Sequence, residues 1–384
     1  MSGPHDVPHH VKMATHDSMA TQAKPPVAGA AGRAMAWVYG KVIAHRNASF
    51  DRGKGVVTFD RPVISVGNLS VGGTGKTPVT MWLLQLLRRE GYWPCVAMRG
   101  YGMPKGRGLE SDEAREYLSA FSDLPIVAQP DRTQGLLELF SDEFEQRQAS
   151  ESSYEPVGER RASDIVVLDD GFQHRQIARQ LDIVLIDATR DPFADRLLPS
   201  GFLRELPASL ARAHAVVLTH AEAVAAHELT KLAARVQAIS KRLVVASCRH
   251  HWAGLKRSVA GGQADEQLAV TWLRDKKVLA VCAIGNPDAF IQSVRQHAGS
   301  VAEAMVLPDH DPYEPARVQR IIDVAKRSGA QVIVCTQKDW SKLARVAATT
   351  WPCAVVRPVL EVQMVAGEDA LRPMILGAAA TEKL

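Results

Sequence analysis

The sequence predicts an α/β protein: a doubly wound, mostly parallel sheet with a second, smaller α/β domain. Three observations carry this. Short Val- and Ile-rich runs such as Ile165–Leu168 and Leu181–Ile186 recur with almost no polar alternation, the mark of strands covered on both faces. Helical stretches separate these runs, notably Pro78–Arg89, Glu222–Ser240 and Ala316–Ser328, so strands alternate with crossovers as a parallel sheet requires. The 384 residues exceed one unit of roughly 150, so two are expected.

The elements follow in chain order. Residues 1–32 are polar and aperiodic and are expected to form a disordered tail. In residues 33–61, Met35, Trp37, Val38, Tyr39, Val42 and Ile43 make a short apolar segment that Lys41, His45 and Arg46 close. Such an amphipathic piece suits a membrane interface, with Trp37 and Tyr39 at headgroup level, or packing on its own domain. Residues 62–255 form the main domain, with strands at Pro62–Val66, Pro94–Met98, Leu124–Ala128, Ile165–Leu168, Leu181–Ile186, Ala215–Leu218 and Leu243–Ala246. Acidic, Ser-rich sequence over residues 141–163 is expected to be a solvated insertion. Polar residues 256–276 are the expected connection to a smaller domain, 277–384, with strands at Val278–Ile284, Val301–Leu307, Val332–Thr336 and Ala354–Val359.

Composition excludes several classes. Lys+Arg 46 against Asp+Glu 42 gives a net charge of +4, too balanced for a strongly basic nucleic-acid binder, so no nucleic-acid partner is expected. No apolar run reaches the roughly 18–20 residues of a membrane span. Cys95, Cys248, Cys282, Cys335 and Cys353 lie far apart and mostly in apolar strings, as small buried hydrophobes in a reducing compartment.

The strand ending near Val66 runs into Gly67-Asn68-Leu69-Ser70-Val71-Gly72-Gly73-Thr74-Gly75-Lys76-Thr77-Pro78, and a helix follows. Strand, glycine-rich turn and helix make a Walker-A-like phosphate loop, which places the main domain among P-loop NTPase-type folds. Backbone N–H groups of residues Ser70 through Thr77 would cradle nucleotide phosphates, helped by the positive end of the helix. Lys76 would reach the β/γ-phosphates, and the Thr77 hydroxyl would join a Mg²⁺ shell. Ser70 stands where the loop pattern asks for its first glycine. Val71 stands where the deviant form K-G-G-x-G-K-T has a lysine. Asp169 and Asp170, at the end of the run Ile165–Leu168, are the expected metal carboxylates; capping of the next helix is the alternative.

Further motifs follow in order: Arg99-Gly100-Tyr101-Gly102, Ser111-Asp112-Glu113, Gly171-Phe172-Gln173-His174, Leu198-Pro199-Ser200-Gly201-Phe202-Leu203-Arg204-Glu205, Ile284-Gly285-Asn286-Pro287, Pro308-Asp309-His310 and Thr336-Gln337-Lys338-Asp339. With the phosphate loop, this ordered set resembles the tetraacyldisaccharide 4′-kinases of lipid A synthesis, from about Trp37 to about Val359. The resemblance implies transfer of the γ-phosphoryl group of MgATP to the 4′-hydroxyl of a tetraacyldisaccharide 1-phosphate, giving lipid IVA. It implies that Asp112 takes the hydroxyl proton, paired with His310, and that Glu113 stands with the metal carboxylates. By themselves, Asp112 is a helix-start carboxylate and His310 a loop histidine.

Arg99 and Arg204 become candidates for substrate phosphate, since guanidinium binds phosphate bidentately. Glu205 is included beside Arg204, although the two could instead form a local ion pair. The resemblance also implies a peripheral protein on the cytoplasmic face of the bacterial inner membrane, with residues 33–61 at the surface and no obligate protein partner. Ser111 and Ala114 replace the family's glycine and proline around Asp112-Glu113, and Gln337 replaces a glutamate. The competing reading is a membrane-associated switch ATPase of the deviant-Walker kind, against which Val71 counts.

Overall fold

The first strand, β1 (Val63–Asn68), is buried along its whole length because it has parallel neighbours on both edges and helices on both faces. The computed structural model describes residues 25–100, 112–152, 161–258, 265–285, 287–308 and 311–381. In chain order these form α1 (Gly29–Asp51), β1, α2 (Lys76–Arg89), β2 (Pro94–Met98), α3 (Asp112–Ala120), β3 (Ile126–Ala128), α4 (Arg132–Ser152), β4 (Ile165–Asp169), β5 (Leu181–Asp187), β6 (Ala215–Thr219), α5 (Ala226–Gln237) and β7 (Val244–Arg257). The second half adds β8 (Glu266–Leu268), β9 (Lys277–Cys282), α6 (Pro287–His297), β10 (Ser300–Val306), α7 (Pro315–Ser328), β11 (Val332–Cys335), α8 (Gln337–Leu343), β12 (Ala354–Ala366) and α9 (Glu368–Ala379).

One sheet runs through both halves in the order β10-β9-β11-β12-β7-β6-β5-β1-β4-β2-β3, with β8 on β7. All pairings are parallel except β12 with β7 and β7 with β8. Alternate residues of β1 face opposite layers. Ile64 and Val66 pack under α2 with Leu83 and Leu87, while Val63 joins Leu136 of α4 on the other face. The apolar runs read from sequence are these strands, most of them within a residue or two.

The largest difference is β7. The apolar run Leu243–Ala246 is only its start, and the strand continues through Arg257, antiparallel to β12, with Arg257 opposite Val356 and Ser247 opposite Ala366. Charged and histidine residues interrupt the apolar signal past Ala246. The boundary after residue 255 therefore falls inside a strand. The chain end also returns. Leu371, Ile375 and Ala379 of α9 pack with Ile64, Val66 and Leu83 in one core, so residues that the sequence placed with the smaller unit complete the larger one.

Two further expectations change. The tail assigned to residues 1–32 lies outside the described residues only up to 24. Val27 N–H donates to the Pro199 carbonyl (2.9 Å), and α1 begins at Gly29. Of the expected insertion 141–163, residues 141–152 extend α4, and residues 153–160 lie outside the described ones. Glu143 is tied inward, accepting from Arg61 (3.0 Å) and from the backbone and hydroxyl of Ser163 (3.0 and 2.7 Å). No helix among the described residues is long and apolar enough to cross a membrane.

Candidate active site

Ligands of open α/β sheets sit beyond the carboxyl ends of the strands, and there β1 opens into the loop 69–75 before α2. Gly75, with φ +73°, turns the chain into the helix in the left-handed region that suits glycine. A side chain there would also collide with the His250 ring, whose Cε1 and Nε2 stand 2.7 and 2.9 Å from a Cβ position. Thr74 is buried and braces the turn. Its hydroxyl accepts from Asn68 Nδ2 (2.9 Å), and its carbonyl accepts from the Thr219 hydroxyl (3.0 Å).

A second segment clamps the loop from outside. Ser70 bridges Leu203, Val71 N–H donates to the Phe202 carbonyl (2.8 Å), and Arg204 N–H donates to the Leu69 carbonyl (2.7 Å). Ser70 and Val71, expected in the phosphate cradle, are thereby held in a strand-like edge, and the Val71 amide is engaged. The part of the loop suited to phosphate is then Gly72, Gly73, Gly75, Lys76 and Thr77, where the first-turn amides of α2 lack helical partners.

The charged side chains converge one strand away. Lys76 Nζ lies 3.7 Å from Asp170 Oδ1, and Arg204 Nη1 donates to both Asp170 oxygens at 2.8 and 2.7 Å. Asp170 itself has φ +52°, and its carbonyl accepts from Arg132 (3.2 Å). Burial would raise its pKa, but Lys76 and Arg204 outweigh that and hold it below the usual carboxylate range. Asp169 behaves oppositely. It is 4% exposed, and burial, with the nearby charges of Glu113 and Asp170, pushes its pKa up to about 6 against the pull of Lys76. Tyr117 of α3 donates to its Oδ2 (3.0 Å), while its Oδ1 is buried with no hydrogen-bond partner among the described residues. Two crowded carboxylates and an orphaned buried oxygen are the donor chemistry of a hard divalent cation, so Asp169 and Glu113 fit an ion such as Mg²⁺. Asp170 is instead saturated by cations.

Of the other expected site residues, Arg99 follows β2 directly and is exposed. The Asp112 backbone opens α3, but its side chain and all of His310 lie outside the described residues, as do Tyr101, Gly102, Asn286 and Asp309. Glu205, expected beside the ligand, turns inward instead. It is 1% exposed and accepts from Arg212 (2.8 and 2.9 Å) and Asn47 Nδ2 (2.7 Å). A carboxylate this deep needs those donors more than it can serve a ligand. The Thr336–Asp339 motif is also scaffolding: the Asp339 side chain accepts from the Thr336 hydroxyl (2.6 Å) and from Ala283 N–H (3.1 Å), joining α8 to the end of β9.

Sequence reasoning missed Tyr117, Arg132, Arg190, His220 and His250. Arg190 Nη1 stands 3.4 Å from a Cβ position on Gly72. His220 and Arg190 each sit within four residues of the carboxyl end of an apolar run, a position that applies the strand-end rule to β5 and β6 as well as to β1 and β4. Tyr117 and Arg132 carry no such signal, since only packing shows which way a helical side chain points.

Comparison with known proteins gives the family and the fold. A family model described as LpxK, tetraacyldisaccharide-1-P 4′-kinase, matches residues 30–378. The chain is 34% identical over 304 residues to a tetraacyldisaccharide 4′-kinase of Desulfotalea psychrophila, covering 78% of this chain and 83% of that one. It is 33% identical over 335 residues to the protein so named from Anaeromyxobacter dehalogenans, covering 85% of each. The solved structure of LpxK from Aquifex aeolicus in complex with ATP superposes with a TM-score of 0.62 at 27% identity, over 90% of this chain and 97% of that one.

Proposed function

The chain belongs to the tetraacyldisaccharide-1-P 4′-kinase family, and from that premise we propose how its residues divide the work. It is an ATP-dependent kinase of lipid A biosynthesis that phosphorylates the 4′-hydroxyl of a tetraacyldisaccharide 1-phosphate. The observation that carries the assignment of roles is the juxtaposition of Lys76, Asp170 and Arg204 beside the phosphate loop.

Phosphoryl transfer is mostly positioning and charge neutralisation. The α2 amino terminus and the loop glycines hold the phosphate chain. Lys76 steers toward the transferred group, and its link to Asp170 fixes where the ammonium stands. Asp169, Glu113 and Thr77 would hold Mg²⁺, which would supply charge neutralisation on the phosphate oxygens. Arg204 keeps Asp170 ionised and in place, a positioning role that replaces direct contact with the substrate phosphate.

Asp112 accepts the proton of the sugar hydroxyl, with His310 as its partner across the two halves. Support comes from their neighbours. Glu113 acts on Asp169, which puts the start of α3 at the β4 end. α3 packs on α8, and the Asp311 carbonyl accepts from Lys342 of α8 (3.0 Å). The segments that carry Asp112 and His310 thus flank one helix contact.

The lipid substrate explains α1. Met35, Trp37, Val38 and Val42 are 53%, 67%, 53% and 60% exposed, and Lys41 lies over the Trp37 ring at 5.5 Å. Apolar side chains beside a cation suit peripheral adsorption to an anionic leaflet, on the cytoplasmic face where ATP is available. A dimerising switch would need the loop lysine that Val71 replaces. The test is transfer of labelled γ-phosphate from ATP to tetraacyldisaccharide 1-phosphate in detergent micelles. A 4′-phosphorylated lipid is the expected product, and ATP hydrolysis without it would refute the assignment.

A further inference from the structure

We infer that His250 and His220 form the nucleoside side of the ATP site, with the His250 ring nitrogens exchanging hydrogen bonds with the nucleoside. This rests on the phosphate-loop reading above. The topology sets the direction. Asp169, Asp170 and Lys76 fix the transferring end of the phosphates at β4, on one side of β1. A nucleotide lying along the loop then extends its other end across the opposite side, over β5, β6 and β7. His220 follows β6 directly, and His250 lies on β7 three residues beyond Ser247, the last to pair with β6.

The side chains there are built for a ligand. The two imidazoles face each other with centroids 4.6 Å apart and a 38° tilt. His220 Nδ1 lies 3.3 Å from Asp187 Oδ1, and the His250 backbone N–H donates to Glu222 (3.1 Å). The His250 side chain is only 9% exposed, yet neither ring nitrogen has a hydrogen-bond partner among the described residues. Its ring edge closes on Gly75, the residue that caps α2. A buried imidazole without partners is unfavourable by itself, and a molecule bound over Gly75 supplies what is missing. Burial and the neighbouring His220 push the His250 pKa down to about 3, so the ring is neutral and offers one N–H donor and one bare nitrogen.

The phosphates and the nucleoside can be separated by ligand choice. Binding of ATP and of inorganic tripolyphosphate, each with Mg²⁺, is measured by calorimetry on the full chain, on His250→Phe and on Lys76→Ala. His250→Phe keeps a ring against Gly75 and removes both nitrogens. Its dissociation constant for ATP is expected to rise about tenfold while that for tripolyphosphate stays the same. Equal weakening of both ligands, or of neither, would overturn the inference. Lys76→Ala should weaken both; if it weakens neither, the phosphate-loop reading fails instead. In the unsubstituted protein with ¹⁵N-labelled histidine, ATP but not tripolyphosphate should shift the His250 ring resonances, and shifts with both or with neither would also refute the contact.

Discussion

Glu205→Gln separates a ligand-facing carboxylate from a buried brace. The wild-type side chain accepts two hydrogen bonds from Arg212 and one from Asn47. Glutamine has the same shape but one acceptor oxygen, and its NH₂ must face a donor from Arg212 or Asn47. Hydrogen bonds to a charged group are worth about 1.5–3 kcal/mol each, and breaking a buried pair costs about 3–5 kcal/mol. Arg212 keeps part of its solvation, at 20% side-chain exposure, and stays over the Phe172 ring at 3.6 Å. The loss is therefore about 2–4 kcal/mol. With unfolding entropy of about 2.1 cal/mol/K per residue over 384 residues, the melting temperature falls about 2.5–5 °C. Differential scanning calorimetry and steady-state kinetics are run on the same preparations. Michaelis constants for ATP and lipid should stay within twofold at a temperature where both proteins are folded. An unchanged melting temperature with a tenfold rise in the lipid constant would refute the brace and restore Glu205 to the ligand.

The remaining predictions concern other parts of the same machinery. Lys76→Ala should lower kcat/KM about 10²–10³-fold, the usual cost of removing one preorganised charge-stabilising donor; a loss under fivefold would take Lys76 out of the phosphate contacts. Asp112→Asn should lower kcat about 10²–10⁴-fold and leave ATP affinity nearly unchanged, and full turnover would remove Asp112 as proton acceptor. Val38→Glu with Val42→Glu should weaken sedimentation with anionic vesicles at least about tenfold and leave the melting temperature in place; equal sedimentation would return α1 to a purely structural role. His250, faced by His220, Asp187, His251 and Glu222, stays neutral in the fold down to about 3, whereas in the unfolded chain it protonates near 6.5. The unfolded state thus binds the extra proton, so stability falls as pH drops below about 6.5. The contribution is about 2 kcal/mol between pH 7 and 5. Urea denaturation of His250→Phe should lack that part of the slope, and identical slopes would contradict it.

What the sequence disclosed follows from which physical signals are local. Near-continuous burial wrote β1, β2, β4, β5 and β6 directly into runs of Val, Ile and Leu, and the glycines of the loop mark a turn that few other residues tolerate. The second half of β7 was hidden because Arg249, His250, His251 and Lys256 break the apolar run, and only β12, about a hundred residues later, supplies its partner edge. Asp169 and Asp170 were legible as a pair but not as opposites. Their division depends on Tyr117, Arg132 and Arg204, which arrive from three other segments. Glu205 misled for the same reason: a charged residue beside a site arginine carries no sign of whether it faces a ligand or the core.

The segment 202–205 joins the two functions that the sequence kept apart. Phe202 and Arg204 hold the outer edge of the phosphate loop through backbone bonds, and the Arg204 guanidinium fixes Asp170. On the other side, the Tyr39 hydroxyl of α1 donates to the Arg204 carbonyl (3.1 Å), and Asn47 of α1 donates to Glu205. α1 leaves Trp37, Val38 and Val42 outward while its inner side is bonded to the residue that sets the charge beside Lys76. In the function proposed above, a lipid substrate with its acyl chains in a bilayer meets phosphates held at the end of β1. On the membrane-surface reading proposed above, tethering the outward-facing helix to the loop's own clamp would fix the height of the reacting centre above the membrane. That design would need neither a longer apolar helix nor a larger net charge, because Tyr39 and Asn47 bind the inner side of α1 to the clamp and Arg175 binds its last turn through Asn47 and Asp51.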